Sequence, residues 1–155
     1  MGYASGPFNV AAAFSHTDID PATDTTASNW NIGGSWNFGV VKVSAFYSQI
    51  EVEGNSLAGK AGQDNWYVGA AAPFGQWNFK FSWGQADGTG LRSAIGAKQW
   101  ALGADYNLSK RTALYATYSS IDNDATSRFR VTAQSSALSA GNGSAGAEAG
   151  IRHSF

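Results

Sequence analysis

Alternation of apolar and polar residues is the dominant pattern along this chain. From Trp30 to Phe38, apolar or small side chains occupy every second position, and Asn, Gly and Ser fill the positions between them. Because successive side chains of a β-strand point to opposite faces, this period of two predicts strands, whereas the helical period is hard to find. Eight such segments predict eight strands: Phe8–Phe14, Trp30–Phe38, Val41–Tyr47, Trp66–Phe74, Trp77–Trp83, Trp100–Leu108, Leu114–Tyr118 and Ala147–Phe155.

The connections between these segments alternate between short and long. Short connections are predicted at Phe38–Val40, Pro73–Gln76 and Leu108–Lys110. Long polar loops, rich in Gly, Ser, Thr, Asn and Asp, are predicted at Thr17–Ser28, Glu51–Gln63, Ala86–Ile95 and Asp122–Gly143. This order places all tight turns at one end of the sheet and all long loops at the other. The prediction is an all-β, up-and-down antiparallel meander in a single domain covering residues 1–155.

Composition narrows the class of protein. Charged residues make up 14% of the chain, whereas an ordinary soluble domain carries roughly 25%. Aromatic residues make up 14%, which is typical of a folded chain, and the net charge of −1 argues against a partner held by its phosphates, so we expect no nucleic acid. The absence of cysteine excludes disulfides and thiolate sites, and no motif calls for a cofactor. No segment approaches the ~20 apolar residues of a membrane-spanning helix, and the N-terminus shows no signal peptide.

Two kinds of β-barrel, a soluble one and a membrane-spanning one, could produce this alternation. In a soluble barrel, the apolar positions would fill an interior that, with eight strands, barely holds its own side chains. The aromatic residues do not fit easily there, and the outer face would be Asn, Gly, Ala and Ser with few charges. In a membrane barrel, the apolar positions, which contain no Asp, Glu, Lys or Arg, face lipid and the small polar positions face the lumen. The sequence favours a transmembrane β-barrel of eight strands.

The aromatic residues collect at the ends of the predicted strands. Val, Ile, Leu and Ala lie mostly between them, as expected for two girdles at the two surfaces of a bilayer. The eight steps from Trp30 to Phe38 span ~26 Å along the strand, and ~20 Å vertically at a ~40° tilt. The predicted girdles are Phe8, Trp36, Phe38, Phe74, Trp77, Tyr106 and Phe155 at the tight-turn end, and Phe14, Trp30, Tyr47, Trp66, Trp83, Trp100 and Tyr118 at the long-loop end.

Five charged residues fall on the opposite, lumen-facing positions. They are Lys42, Lys80, Asp105, Glu148 and Arg152. On the wall of a wide pore they would bias which ions enter, because rings of charge tune selectivity. In a barrel that closes with only eight strands they would form ion pairs that fill the interior. The sequence leaves both interpretations open.

Other polar residues offer weaker chemistry. His16 is followed by Asp18 and Asp20 at a strand end, where a carboxylate could orient an imidazole for base catalysis, but an exposed surface His is the simpler interpretation. The same carboxylates lack the Gly and closing Glu of a calcium loop, so we predict neither a catalytic site nor a metal site. The last long loop carries Arg128 and Arg130, which could fold over the barrel mouth or contact lipopolysaccharide phosphates, but a mobile solvated loop is the simpler interpretation.

Two stretches resemble a known family. The segment Trp100–Ser119 and the ending Ala149–Phe155 are similar to the last strands of Gram-negative general porins of the β-proteobacterial type. The resemblance implies an outer-membrane protein, a possible trimer, and a terminal Phe155 that, with Ile151 and His153, is read by the barrel-assembly machinery. It also implies a barrel of 16 strands, of which this chain resembles the C-terminal half. The constriction loop and its facing basic cluster belong to the first half of such a porin.

The function implied is passive diffusion of ions and small hydrophilic solutes across the bacterial outer membrane, in contact with lipid and lipopolysaccharide. One alternative is a self-closed eight-stranded barrel with a filled interior that acts as a structural anchor. Another is an outer-membrane hydrolase or acyltransferase that uses His16. Because an open sheet would expose two edges to the membrane, we expect Phe8–Phe14 to pair with Ala147–Phe155, or the chain to pair with other copies.

Overall fold

The protein forms one antiparallel sheet in which every strand lies beside its neighbours in sequence. The computed structural model describes residues 1–55, 57–132 and 139–155. The strands are β1 Gly2–Ser5, β2 Phe8–Asp20, β3 Thr25–Asn37, β4 Lys42–Glu53, β5 Ala61–Phe74, β6 Trp77–Gly90, β7 Gly96–Asn107, β8 Thr112–Asn123 and β9 Ser144–His153. The sheet order is β1 to β9 without a crossover, which confirms the all-β, up-and-down antiparallel meander.

The sheet has nine strands in the described residues, so the predicted number of eight is wrong. The additional strand is β1, which has four residues and pairs with Phe8–Ala11 through a tight turn at Gly6–Pro7. Gly6 has a φ of +54°, which a glycine adopts without strain. A strand of four residues is too short to show alternation, and this is why the hydrophobic pattern missed it.

Most strands extend further than predicted toward the long-loop end. β4 continues to Glu53 and β5 begins at Ala61, both within the segment predicted as a loop. β6 continues to Gly90, beyond the last predicted strand residue Trp83. Backbone N–H and C=O groups pair whatever side chains they carry, so the strands continue after the predicted apolar alternation stops; in β6, for example, Gln85, Asp87 and Thr89 take the positions that follow Trp83. The connection from β8 to β9 spans residues 124–143, close to its predicted bounds.

The described sheet is open. β9 pairs only with β8, and β2 pairs with β1 and β3. The predicted pairing of Phe8–Phe14 with Ala147–Phe155 is therefore wrong, because β1 pairs with the start of β2 on the side opposite β3. In an up-and-down sheet, β1 and β9 also run in the same direction, so they could not join as an antiparallel pair.

The side chains do not enclose an ordinary hydrophobic core. Among the described residues, the buried hydrophobic ones are Ala113 and Ile121. Large apolar side chains are instead exposed, mainly on one face, where Phe14, Phe74 and Ile151 are 70%, 77% and 65% exposed. A smaller number, among them Phe46 and Tyr67, are exposed on the opposite face. An apolar surface of this extent needs an apolar partner, because soluble monomers rarely expose one.

No helix within the described ranges has the length and apolar character needed to cross a membrane.

Candidate functional site

The two faces of the sheet differ in polarity. We call the face of Ser44, Lys80 and Asp105 the polar face, and the face of Ile32, Leu102 and Ile151 the apolar face. The buried polar residues Ser48, Asp105 and Ser119 all lie on the polar face, as expected on the inside of a curved sheet. A trough of about 610 Å³ follows this face, with Lys42, Ser44, Tyr67, Lys80, Ser82 and Thr117 among its lining residues.

Three of the five predicted wall charges meet on the polar face. Lys80 Nζ lies 2.5 Å from Asp105 Oδ2, and Arg152 Nη2 lies 3.5 Å from the same oxygen. The three residues come from β6, β7 and β9, so the contacts join three strands and reach across β8, which lies between β7 and β9. The Asp105 side chain is 10% exposed, whereas those of Lys80 and Arg152 are 43% and 59% exposed. We call these residues the Asp105 trio; it carries one positive charge in excess.

The other two predicted wall charges lie on the same face without joining the trio. Glu148 borders a second cavity of about 590 Å³, together with Lys80, Asp105 and Arg152. Lys42 lines the 610 Å³ trough further along the sheet. Within the described residues, neither Lys42 nor Glu148 has an ion-pair partner. The polar face therefore combines one neutralised carboxylate with separate charges of both signs.

Aromatic residues form two rows on the apolar face. In the long-loop row, the ring centroids of Trp30 and Tyr47 are 5.0 Å apart, those of Tyr47 and Trp66 4.4 Å, and those of Trp100 and Tyr118 5.3 Å. These contacts cross strand boundaries, so the row is continuous over neighbouring strands. Phe14 and Trp83 belong to it by register, opposite Trp30 and Trp100.

The tight-turn row has the same construction. Phe8 and Trp36 have ring centroids 5.7 Å apart, and Trp77 and Tyr106 4.8 Å. Phe38 follows Trp36 at 6.1 Å, and Phe74 faces Trp77 across the turn at Gly75. At the C-terminus, His153 contacts Phe155 at 4.9 Å and its Nδ1 lies 2.9 Å from Thr112 Oγ1. Ile151 lies on the same face and is exposed.

The loop after β8 turns back onto the polar face. Asn123 Oδ1 accepts a hydrogen bond from the Phe129 backbone N at 2.9 Å. Phe129 and Arg130 border a cavity of about 290 Å³ together with Gly84, Gln99 and Ile121, which are polar-face positions of β6, β7 and β8. Arg128 is exposed. Of the two predicted arginines, Arg130 thus lies over the polar face; residues 133–138 of the same predicted loop are outside the described residues.

His16 lies near Asp18, which the sequence suggested, and near Ser28, which it did not. Its Nδ1 lies 2.9 Å from Ser28 Oγ on β3, and its Nε2 lies 3.9 Å from Asp18 Oδ1. The side chains of His16 and Asp18 are 51% and 72% exposed. Asp20 is used differently, because its Oδ1 accepts a hydrogen bond from the Ala22 backbone N and caps the turn between β2 and β3. In the described parts of the chain, no group of three or more His, Asp or Glu side chains could hold a metal ion.

The β4–β5 hairpin ends in an exposed ion-pair cluster. Lys60 Nζ lies 2.9 Å from Glu51 Oε1 and also contacts Glu53 Oε1. The hydrogen bond from Lys60 lowers the pKa of Glu53, and the hydrogen bond to Glu53 raises the pKa of Lys60. Both groups therefore stay charged at neutral pH.

Glycine on the polar face makes room for aromatic rings. Tyr115 of β8 lies directly opposite Gly150 of β9, and its ring covers the glycine. A Cβ added at Gly150 would lie 2.8 Å from Tyr115 Oη and 2.9 Å from Cε1. Real Cβ atoms essentially never approach a side chain this closely, so Gly150 is required by the close approach of the ring.

Gly150→Val should destabilise the folded protein by about 1–3 kcal/mol, because overpacking forces Tyr115 out of its rotamer. Gly150→Val combined with Tyr115→Ala should recover most of that loss. The measurement is the urea midpoint of unfolding in detergent or lipid. If the double variant is as unstable as the single one, the ring is not the reason for the glycine.

Antiparallel strands with one apolar face for lipid and one polar face for water are typical of outer-membrane proteins, and the two faces of this sheet differ in the same way. The model of the family described as Gram-negative porin matches residues 1–126. The chain belongs to the Gram-negative porin family, and this places it in the outer membrane of Gram-negative bacteria.

Curated relatives match along the whole chain but not along their own length. An outer membrane porin protein of Delftia acidovorans, named porin protein 32, is 33% identical over 168 residues, covering 100% of this chain and 45% of that protein. An outer membrane porin protein of Bordetella pertussis is 28% identical over 185 residues, with coverage of 100% and 45%. This chain therefore spans about half the length of the curated relatives it matches.

Solved structures give the same proportion. The anion-selective porin from Comamonas acidovorans is 28% identical, with a TM-score of 0.87, and the match covers 99% of this chain and 47% of that one. OmpT of Vibrio cholerae, at 13% identity and a TM-score of 0.72, shares the fold over 98% of this chain. The nine-stranded sheet thus has the shape of about half of a complete porin chain.

Proposed function

We propose that this chain forms about half of the wall of an outer-membrane diffusion channel for ions and small hydrophilic solutes. The observation that carries the proposal is the contrast between the faces of one sheet: the apolar face exposes its large side chains, and the polar face holds a 610 Å³ trough with charges. In a barrel wall, the first would face lipid and the second water. Transport of this kind has no chemical step and requires no cofactor.

The offset between aromatic residues supports a tilted wall. Within the pairs Phe14–Trp30, Tyr47–Trp66 and Trp83–Trp100, the two residues lie directly opposite each other. From each pair to the next, the long-loop row shifts by two residues; Val68, for example, takes the place opposite Trp83.

If the long-loop row lies level at a membrane surface, this offset fixes the strand tilt. A shift of two residues over two strands is ~3.4 Å along the strand for each ~4.8 Å across it, which corresponds to a tilt of ~35°. Membrane barrels have strands tilted by about 35–45°. The two rows are thereby interpreted as girdles at the two bilayer surfaces.

The sheet requires further strands to close. Beyond Ala12, the edge of β2 has no partner strand among the described residues, and neither does the outer edge of β9. A bilayer does not tolerate such edges, because it offers no hydrogen bonds to backbone groups. We propose that residues 1–155 are one part of a single barrel domain. The eight-stranded anchor with a filled interior finds no support in a sheet whose β1 blocks that closure.

The wall charges would set ion preference. The polar face carries Lys42, Lys80 and Arg152 against Asp105 and Glu148, a surplus of one positive charge that would favour anions near the wall. The relative from Comamonas acidovorans is described as anion-selective. We propose a weak preference for anions, with the Asp105 trio as its main fixed element.

Partners follow from the same proposal. The apolar face would contact outer-membrane lipid, and the exposed strand ends above the long-loop row would contact lipopolysaccharide. Phe155, with Ile151 and His153 on the same face, would serve as the signal for the barrel-assembly machinery. A trimer form is recorded for the Vibrio cholerae neighbour, and assembly of this protein into a homo-oligomer is part of the proposal.

Single-channel recording in planar bilayers tests the function. The protein, purified in the assembly it forms in the outer membrane, should give stepwise current in salt solution. Heat-dependent mobility on a denaturing gel serves as the control for folding, because folded membrane barrels resist the detergent until heated. Folded protein that gives no current steps would contradict the channel.

A further inference from the structure

One side chain fastens the loop after β8 at both of its ends. Asn123, the last residue of β8, accepts a hydrogen bond from Phe129 N at 2.9 Å through Oδ1. Its Nδ2 donates to Phe129 O at 2.9 Å and to Asn142 O at 2.7 Å. Only a carboxamide offers an acceptor and two donors in this arrangement. Asn123 thus links the outgoing and returning parts of the loop.

The first turn of the loop is anchored separately. Ser127 is 2% exposed, its Oγ accepts a hydrogen bond from Gly96 N at 2.8 Å, and its O accepts one from Gly141 N. Asp124 N donates to Gly96 O at 2.9 Å, and Thr126 Oγ1 donates to Ala94 O. These contacts attach residues 124–127 to the connection between β6 and β7. The segment that Asn123 holds therefore begins directly after a fixed turn.

The held segment lies over the polar face. Phe129 and Arg130 border the 290 Å³ cavity above Gly84, Gln99 and Ile121. Val131 N donates to Ser144 Oγ at 3.3 Å, and Val131 Cβ lies 3.8 Å from the position a Cβ would take at Gly146. Gly146 and Ser144 are polar-face positions of β9. The segment Arg128–Val131 therefore spans the polar face from β6 to β9 at its long-loop end.

We propose that Asn123 is a positioning residue of the channel: its carboxamide holds Arg128–Val131 across the polar face and so sets the width and the ion preference of the long-loop mouth. The inference rests on the proposed channel function. It assigns to the long loop before the C-terminal strand the task of narrowing the mouth and of keeping the exposed Arg128 and Arg130 there. Arginine at a mouth of this kind raises the local concentration of anions.

Two substitutions release the segment in different ways. Asn123→Ala removes all three hydrogen bonds, and Asn123→Asp keeps the shape but places carboxylate oxygen against two carbonyl oxygens. Both should raise single-channel conductance by roughly 1.5- to 2-fold and lower anion preference, because the mouth widens and the arginines leave it. Asp122→Asn, on the opposite face of β8, is the matched control and should keep both quantities at the parent values.

A reversible crosslink separates position from stability. The sequence contains no cysteine, and the 3.8 Å between the Cβ positions of residues 131 and 146 equals the mean of about 3.8 Å in disulfides. In the triple variant Asn123→Ala, Val131→Cys, Gly146→Cys, oxidation should return conductance and reversal potential to the parent values. Reduction should restore the released state in the same molecules.

The outcomes distinguish the two proposals. Parent current steps that are unchanged by Asn123→Ala, by Asn123→Asp and by reduction of the crosslinked triple variant would overturn the role of Asn123 and leave the channel intact. A parent protein without current steps would overturn the channel, and the role of Asn123 with it. If Asn123→Ala does not fold, the conductance and anion preference of the shape-conserving Asn123→Asp are compared with those of the parent instead.

Discussion

Leu102→Arg should destabilise the folded protein in a bilayer by about 2–4 kcal/mol, whereas Ala101→Arg, one residue away, should fold nearly as well as the parent. Leu102 lies on the apolar face between the aromatic rows and is 52% exposed. A guanidinium there must be taken out of water into hydrocarbon. Ala101 lies on the polar face, opposite Ser82 and Ser119, where the same guanidinium stays hydrated.

The two variants form a matched pair, because they add the same charge to neighbouring positions of β7. Urea unfolding in lipid vesicles measures the stability difference, and heat-dependent gel mobility gives a simple second measurement. Ala101→Arg should also lower the conductance and increase the preference for anions, since it narrows and charges the trough. Equal destabilisation by both variants, or tolerance of Leu102→Arg, would contradict the assignment of the apolar face to lipid.

The sequence predicted the sheet well because the two faces of most strands differ in polarity. From Trp66 to Phe74 the apolar positions repeat without exception, so the direction of every side chain and the order of strands follow from the pattern and the turns. Where both faces are polar, as from Gln85 to Gly90, the pattern carries no information about backbone pairing. β1 was not predicted for a related reason, since four residues are too few to show a period.

The predicted closure failed because alternation describes each strand by itself. Alternation does not reveal which strands lie beside β2. In the structure, Gly2–Ser5 pairs with the edge of β2 that faces away from β3. The match to about half of the porin chain from Comamonas acidovorans shows that the sheet has the shape of one part of a longer chain. Curvature arises from register and stagger across many strands, which no single strand sequence encodes.

The site was predictable to the level of a face but not of a contact. Period two placed Lys80, Asp105 and Arg152 on the same side of the sheet. Their meeting depends on register: Lys80 lies opposite Gly103, two residues before Asp105, and Arg152 lies opposite Ala113 of the intervening strand. Only diagonal contacts across a staggered sheet bring them together. Asn123 carried no signal at all, since its partners are backbone atoms of an irregular loop.

We expect the Asp105 trio to affect both the charge of the polar face and the stability of the sheet. Asp105 is the least exposed member and accepts contacts from both cations. Its removal would leave two positive side chains close to each other on the polar face without the carboxylate between them. Neutralising Asp105 should therefore have a larger effect than removing any other negative charge from this face.

Asp105→Asn should shift the permeability ratio toward anions by about two- to five-fold. A unit charge ~8 Å from the ion path changes the energy of an ion by ~0.5 kcal/mol in water, with opposite signs for anions and cations. The unfolding free energy should fall by about 1–2 kcal/mol, less than for a fully buried pair because Lys80 and Arg152 are half exposed. Reversal potentials in a salt gradient and urea midpoints measure the two effects.

Glu148→Gln is the control for charge alone, because it removes one negative charge from the same face without breaking an ion pair among the described residues. It should shift the permeability ratio in the same direction and leave the urea midpoint unchanged. Raising the salt concentration should reduce the shift in both variants as the Debye length shortens. If Asp105→Asn and Glu148→Gln have equal unfolding free energies, the trio contributes only charge. If neither variant changes the permeability ratio, the polar face does not line the path of the ions.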